Sequence, residues 1–559
     1  MTVNWVGSAT HEISTRARAL LPTRSDYTAM RRNPKRDVLA GITVAIVALP
    51  LALAFGLTSG MGAGPGLITA IVAGLFAAFF GGSNLQVSGP TGAMAVVLLP
   101  IVAIYGPSGV LVVGLIAGLM LIGLALAGAG RYMRFIPLPV VEGFTLGIAI
   151  IIALQQVPSA LGYPGVGDKV VLIALSSIQQ WLADPDLAPV LIAFGVAACM
   201  LLALRFRPGL PVSLVAVAVA TILVVVTDLD VATIGAIPTG LPTPSIPAIP
   251  WGQISALLLP AAAVAALAAL ESLLSATVAD AMSVGERHNS NRELFGQGVA
   301  NLASPLFGGI PATAAIARTA VNVRTGARSR LAAITQSLAL LLVILVAAQW
   351  VSYIPLAALA GVLLATTVQM VEVSNLRTLL RTTRGDAIVL IATALATVVL
   401  DLVTAVIIGL VIAGLYALRQ IAKSAHVDEI PLDTGDHSAA ELALLNEHVV
   451  AFRLDGPLFF GAAHTFLLEV AEVSDVRVVI LRLSRVNTLD ATGAAVLGQT
   501  IKTLEGRGIT VLLSGIKADH VSIFQNMGVY KHLSHEKHVF ESTPAAIEHA
   551  RSHVHKTHD

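Results

Sequence analysis

The residues best placed for chemistry are few, and most carry no charge. Two short glycine–proline breaks interrupt apolar helical sequence: LQVSGPTGAM, Leu85 to Met94, and FGGIPATAAIAR, Phe307 to Arg318. In a bilayer, broken backbone survives only where it lines a cavity in the protein. Each break offers extended residues, a proline and then small residues that open a new helix. Pro90 followed by Thr91, Gly92 and Ala93 suits a first helical turn, because proline has no N–H to waste there and glycine lets an ion approach the backbone. The second break offers Ala312, Thr313, Ala314 and Ala315 after Pro311. Two half-helices that start near mid-membrane aim their positive dipole ends at one point, an anion site that needs no fixed cationic side chain. The alternative for one break alone is an ordinary kink between packed helices. Breaks at matching places in two halves of the chain favour the site.

Two ionisable side chains accompany the breaks. Arg318 follows the second half-helix start by about two turns, where it raises the local positive potential or pairs with a carboxylate, unless it snorkels from the end of a short span. Glu271 lies in the otherwise uncharged run Leu257 to Val278, with Ser275 one turn later on the same face. A carboxyl buried there takes up a proton with the substrate, holds a cation, or serves as a hydrogen bond between helices. Asp280 reads as a cap or a water-facing residue, and Asp401 as part of a tight loop. In the first span Pro50 would break or merely kink the helix, and Phe55 either walls the site or packs in the core. There is no GxxxxGK[ST] loop, no hydrolytic constellation and no clustered metal-ligand set in the apolar part, so the chain does not read as an enzyme. No cofactor is expected beyond a coupling ion, H+ or Na+. The histidines of the tail, His549, His553, His555 and His558, admit metal binding, but a solvated, frayed end is the plainer reading.

These residues need a membrane scaffold, and the composition supplies one. The chain has 559 residues, 56% hydrophobic and 12% charged, with a mean hydropathy of +0.83, which marks a polytopic membrane protein embedded in a lipid bilayer. The net charge of +1 implies no nucleic-acid partner. The single cysteine, Cys199, reads as a small core hydrophobe. Residues 1–36 are polar, carry Arg16, Arg18, Arg24, Arg31, Arg32, Lys35 and Arg36, and lack the short apolar core of a signal peptide. The positive-inside rule keeps this segment in the cytoplasm.

Fourteen spans are expected, near 38–58, 65–81, 91–104, 109–129, 137–157, 188–205, 211–227, 255–280, 294–306, 312–323, 331–350, 356–373, 386–400 and 402–421. Some are too short to cross the roughly 30 Å hydrocarbon core alone. The basic loops at Arg131 and Arg134, Arg205 and Arg207, Arg324 to Arg330 and Arg377 to Arg384 then share the side of the N-terminus, and the Pro-rich loop Ile237 to Trp251, free of Lys and Arg, lies opposite. Both termini are expected in the cytoplasm, in the cell membrane. Seven spans per half make the halves run in opposite directions, an inverted repeat with the site where the repeats meet. The expected domains are a cytoplasmic segment 1–36, a transport domain 37–422, a polar linker 423–446 and a soluble α/β domain 447–555. Strands are expected at Val449–Leu454, Val476–Leu483 and Ile509–Ser514, with helices near 461–473, 491–506, 518–527 and 543–553. Between the second strand and its helix, Asp490 or Thr492 caps the helix, whose N-terminus also suits a phosphate or nucleotide.

Together these residues resemble the sulfate permease (SulP) family of anion transporters, over about Asp37 to His553. The resemblance is carried by QVSGPTGA (Gln86 to Ala93), ESLLSATVAD (Glu271 to Asp280) and Asn301 through Asn322 with PATAAIARTAVN. The C-terminal part looks like a STAS domain, with its helix-opening D-x-[ST]-G motif at Asp490 to Gly493. The resemblance implies fourteen membrane segments in two inverted repeats, core and gate subdomains, elevator-like movement and a homodimer with the STAS domain in the cytoplasm. It places substrate between the third and tenth segments, at Thr91 to Ala93 and Ala312 to Ala315, with Leu51, Phe55 and Glu271 contributing from the first and eighth. Where many sulfate-type members carry Pro-Gln and Ala-Tyr in the first span, this chain has Pro50-Leu51 and Ala54-Phe55, more similar to the bicarbonate-transporting branch. That branch holds sodium with an Asp in the eighth segment, where this chain has Glu271, which also suits proton coupling. Thr492 matches a position that is phosphorylated in soluble STAS relatives.

The expectation is therefore secondary active transport of a small inorganic or carboxylate anion, bicarbonate ahead of sulfate and C4-dicarboxylates. The competing reading is a membrane-embedded sensor or scaffold whose STAS domain recruits a cytoplasmic partner. A channel would need a ring of charge or a hydrophilic pore stripe, and none is visible.

Overall fold

The computed structural model describes residues 18–167, 169–206, 212–248, 251–283, 285–400, 402–423, 426–430, 432, 446–459, 476–535 and 537–555. Asp401, the helix expected at 461–473 and His558 lie outside the described residues, as do Arg16 and Arg207. The chain forms two compact units, one ending at Leu410 and one beginning at Val411.

In the first unit a short helix α1 (Arg24–Thr28) precedes α2 (Pro34–Thr58) and α3 (Ala63–Phe80). The first break follows as a two-residue strand, β1 (Ser88–Gly89), and then α4 (Gly92–Leu126). Two expected spans lie within α4, separated at Gly106, whose φ of 68° is open to glycine at little cost and is followed by Pro107. Next come α5 (Leu138–Leu161), α6 (Val170–Ala183), α7 (Leu187–Phe206) and α8 (Val212–Thr227). The helix α6 was not expected; its sequence, VVLIALSSIQQWLA, is apolar on one side only and too short to cross a bilayer. The second half holds α9 (Ile254–Met282), α10 (Ser290–Leu306), the strand β2 (Thr313–Ala314), α11 (Ile316–Arg324), α12 (Leu331–Val351), α13 (Leu356–Met370), α14 (Val373–Thr382), α15 (Arg384–Val399) and α16 (Leu402–Lys423). Eight helical stretches among the described residues are long and apolar enough to cross a membrane.

The helices pack as two bundles. α2, α3, α4, α9, α10, α11 and α12 surround the strand pair, while α5, α6, α7, α8, α13 and α15 pack mainly on one another, with α8 and α13 also touching α2. Part of the N-terminal polar segment docks on the first bundle. Leu20 is buried, Asp26 pairs with Arg292 of α10 at 2.7 Å, and the Tyr27 hydroxyl donates to the Phe79 carbonyl at 3.2 Å.

In the second unit five strands order as β3-β4-β5-β6-β7: β3 (His426–Ile430), β4 (Val449–Leu458), β5 (Val478–Leu489), β6 (Thr510–Ser514) and β7 (Val539–Phe540). β3 runs antiparallel to β4, and the remaining pairs are parallel. β3 corrects the expectation of a linker over 423–446: HVDEI has too little apolar alternation to announce a strand, yet as an edge strand it needs only one ladder. Helices α17 (Ala491–Gly506) and α18 (Ala518–Asn526) cover one sheet face over Leu454, Leu481, Leu497, Ile501 and Phe524. α19 (Thr543–His555) covers the other through Ala546, Ile547, Ala550 and Val554. Asp490 is the cap of α17; its Oδ1 accepts from Gly493 N at 2.7 Å. Asp490→Ala is expected to destabilise the start of α17 by about 1 kcal/mol. Hydrogen-exchange mass spectrometry should then show first-turn amides exchanging roughly fivefold faster, and unchanged exchange would contradict the cap.

Candidate functional site

The two breaks, more than two hundred residues apart in the chain, meet. β1 and β2 pair antiparallel, with Ser88 opposite Ala314 and Gly89 opposite Thr313. Ala315 N extends the ladder to Val87 O at 2.9 Å. α4 opens at Gly92 with Thr91 as its N-cap, whose Oγ1 accepts from Met94 N at 3.3 Å. Its first-turn amides at Gly92 and Ala93 have no intrahelical acceptor. The second break departs from the expectation that Ala312 to Ala315 open a helix. Those residues are extended, and α11 begins at Ile316. Their amides are also spent: Ala312 N donates to Asn301 Oδ1 at 2.8 Å, and Ala314 N to Ser272 Oγ at 3.2 Å. Pro311 suits an extended strand as well as a helix start, and pairing with the other break decides between them. The second set of open amides is therefore at Ile316, Ala317 and Arg318.

Neutral polar side chains hold this pair; Ser275 and Thr313 were expected at the site, whereas Thr69, Ser272, Gln297, Asn301 and Thr319 were not expected there. Asn301 of α10 binds Ala312 as another strand would, donating from Nδ2 to Ala312 O and accepting from Ala312 N, both at 2.8 Å. Gln297, one turn earlier, donates to Ser88 Oγ at 2.6 Å. Thr69 Oγ1 of α3 accepts from Ile310 N at 2.7 Å. On the α9 side, Ser272 Oγ lies 3.0 Å from Thr313 Oγ1, and Gln86 Nε2 donates to Ser272 O at 3.0 Å. Ser275 Oγ donates to Thr319 Oγ1 at 3.0 Å, which also accepts from Val87 N at 3.1 Å. The one available signal was periodic: Gln297, Asn301 and Ser304 lie on one face of α10 and are all fully buried.

The charges converge on the same place. Thr91 Oγ1 donates to Glu271 Oε2 at 2.9 Å, and Thr313 and Arg318 also act on that carboxylate. Arg318 is 1% exposed, so it does not snorkel. Its Nη2 donates to Pro90 O, on the opposite break, while Nη1 has no hydrogen-bond partner among the described residues. Gln86 Oε1, Gln297 Oε1 and Asn322 Oδ1 are likewise buried without a partner around the strand pair. Buried polar atoms are rarely left so, and their concentration here suits a site that receives a polar guest.

α2 closes one side. Leu51 and Phe55 are both buried in the apolar core that also contains Ala93. A Cβ on Gly92 would lie 2.3 Å from Ile152 Cδ1 and 3.1 Å from Phe55 Cε1, so only glycine leaves the α4 terminus open against these walls. One turn further along α2 a cavity of about 320 Å³ lies between the two bundles, lined by Thr58, Leu99, Gln155, Gln156, Ser159 and Leu359 among others. In the second unit Thr492 is exposed on the first turn of α17.

A bundle of apolar helices with two broken members paired at its centre, and a charged pair beside their starts, defines a membrane transporter. The chain belongs to the sulfate permease family, whose sequence profile matches residues 35–393, and it carries a STAS domain, matched over residues 443–546. Its relatives are anion transporters and not enzymes, and this chain is an anion transporter of that family. It is similar to the putative sulfate transporter YvdB of Bacillus subtilis, at 34% identity over 91% of this chain and 96% of the relative. It is also similar to the bicarbonate transporter BicA of Picosynechococcus, at 30% identity over 90% of this chain and 93% of the relative. Among solved structures, the transmembrane domain of a cyanobacterial BicA matches at TM-score 0.62 and 34% identity, covering 67% of this chain and 98% of that one. SLC26A9 shares the fold at TM-score 0.78 and 19% identity, covering 94% of this chain and 91% of that one.

Asn301→Ala would unpair both the N–H and the C=O of Ala312 where no solvent replaces them. The expected cost is roughly 3 kcal/mol, read as a lowered thermal denaturation midpoint in detergent. An unshifted midpoint would show that this amide does not hold the strand pair.

Proposed function

We propose that the chain is a secondary active transporter of a small anion, bicarbonate ahead of sulfate and C4-dicarboxylates. The observation that carries this reading is the convergence on Glu271 of Thr91, at the start of α4, and Thr313, in the strand before α11, with Arg318 of α11 bonding Pro90 O across the β1–β2 pair. Each helix start contributes about half a positive charge. With Arg318 balanced by Glu271, the dipoles remain to favour an anion, held by backbone amides of Gly92 and Ala93 and of Ile316 to Arg318. Thr91, Ala312 to Ala315, Leu51 and Phe55 form the floor and wall. Such a site binds without a dedicated cation and so releases its cargo readily. Relatives named as sulfate transporters and as bicarbonate transporters both match nearly the whole chain; bicarbonate ranks first because apolar Leu51 and Phe55 suit a small, singly charged ion.

Glu271 is the coupling group in this reading. A proton or sodium ion on its carboxylate leaves Arg318 uncompensated and the site more positive, so cation and anion enter together. Ser275, one turn away, helps hold the α9 face through Thr319. The two bundles serve as core and gate, the core sliding on the gate in an elevator-type movement past the cavity at Thr58 and Gln156. Seven segments per half, inverted, would relate α2 to α4 with α9 to α11. The protein would work as a homodimer in the cell membrane, with both termini cytoplasmic.

The test is uptake of labelled bicarbonate, sulfate and fumarate into proteoliposomes under imposed sodium or proton gradients. Stimulated flux of at least one anion is expected, and none for all three would overturn the reading. Glu271→Gln is expected to abolish gradient dependence while retaining exchange. Unchanged pH and sodium dependence in that variant would remove Glu271 from coupling. Arg318→Met, which removes the positive charge facing Glu271, is expected to reduce flux by roughly a hundredfold, equivalent to about 2.7 kcal/mol. Wild-type flux would exclude an electrostatic role for Arg318.

A further inference from the structure

Seven of the fourteen histidines lie between His532 and His558, and the fold gathers several of them. His549 and His553, one turn apart on α19, are half-buried rather than frayed into solvent, and His538, just before β7, is 4% exposed. One ligand-type nitrogen from each of the three lies within 4.8 Å of the others. The ring centroids stand 5.2 to 5.4 Å apart in all three pairings. His549 Nε2 and His553 Nε2 are 3.4 Å apart. Two imidazole nitrogens on a tetrahedral ion with bonds of about 2.0–2.1 Å are separated by roughly 3.3 Å.

The surroundings prepare His538 in the form a metal requires. Ser534 Oγ donates to Glu505 Oε1 at 3.2 Å, and His538 Nδ1 lies 3.2 Å from the same hydroxyl. With its hydrogen committed to Glu505, Ser534 accepts from His538 Nδ1–H. That fixes the tautomer and leaves Nε2 with its lone pair.

We propose that His538, His549 and His553 form a binding site for a borderline divalent transition-metal cation, zinc first. The i, i+4 pair on α19 and the single histidine before β7 supply three neutral nitrogens, and water completes a tetrahedron. The ion would fasten α19 to the sheet edge, where β7 pairs with β6 at Leu513–Val539 and Ser514–Phe540 and Leu513 N donates to His538 O at 2.8 Å. Soft and borderline cations suit imidazole, whereas magnesium and calcium do not.

The test uses the purified full-length protein in detergent, freed of metal, with cobalt(II) and then zinc as probes. Wild type is expected to take one equivalent of cobalt with the intense visible bands of tetrahedral coordination, bleached by zinc. His549→Ala and His553→Ala, both on a partly exposed helix face, should lose the bands while retaining the hydrogen-exchange pattern of the sheet. Ser534→Ala should weaken zinc by roughly tenfold to a hundredfold, as losses behind a ligand do. The pair His555→Ala/His558→Ala should bind as wild type. Absence of tetrahedral bands in wild type, retention of them in both α19 variants, or their loss in the tail pair would each overturn the site.

Discussion

Backbone inside a bilayer has no water to bond with, so every amide freed by breaking a helix must find a partner in the protein. This chain breaks two helices and satisfies much of the exposed backbone by pairing the breaks with each other. The rest falls to Asn301, Ser272, Thr69 and Thr319, short neutral side chains that imitate a neighbouring strand. The packing of α3, α9 and α10 around the pair follows from where those side chains must stand. What stays unspent is the first turn of each new helix, one beyond each end of the antiparallel ladder.

The charges follow a similar logic. A lone guanidinium or carboxylate at this depth would be prohibitive, and the two offset each other. Arg318 belongs to one break and bonds the carbonyl of the other, so it also stitches the two halves of the chain. Thr91 caps one half-helix and touches Glu271 with the same hydroxyl. The charge state of Glu271 is thereby linked to the end of α4 through a single oxygen.

Much of this was legible in the sequence, for reasons specific to each residue. The breaks stand out because glycine and proline are conspicuous in apolar helices, and Glu271 and Arg318 because they interrupt uncharged runs. The pairing of the breaks was not legible, since nothing local records a partner two hundred residues away. The same gap explains the misplaced start of α11: Pro311 fits either an extended or a helical opening, and only the distant strand decides. Asn301 and Gln297 were hidden because neutral amides in a helix usually mean little, and their burial depends on α3 and α4. In the soluble unit, alternating apolar residues marked β4 to β6, whereas the polar edge strand β3 and the two-residue β7 carried no pattern. Of the histidine cluster the sequence marked His549 and His553 but read them as a frayed end, and it missed His538, which only the sheet brings to α19.

The ladder between β1 and β2 also sets a mechanical condition. Sliding one half-helix past the other would tear hydrogen bonds at a depth where nothing else can replace them. The two ends are thus yoked, and whatever they grip must be carried by a single stiff block. Within this unit no such ladder crosses from one bundle to the other among the described residues.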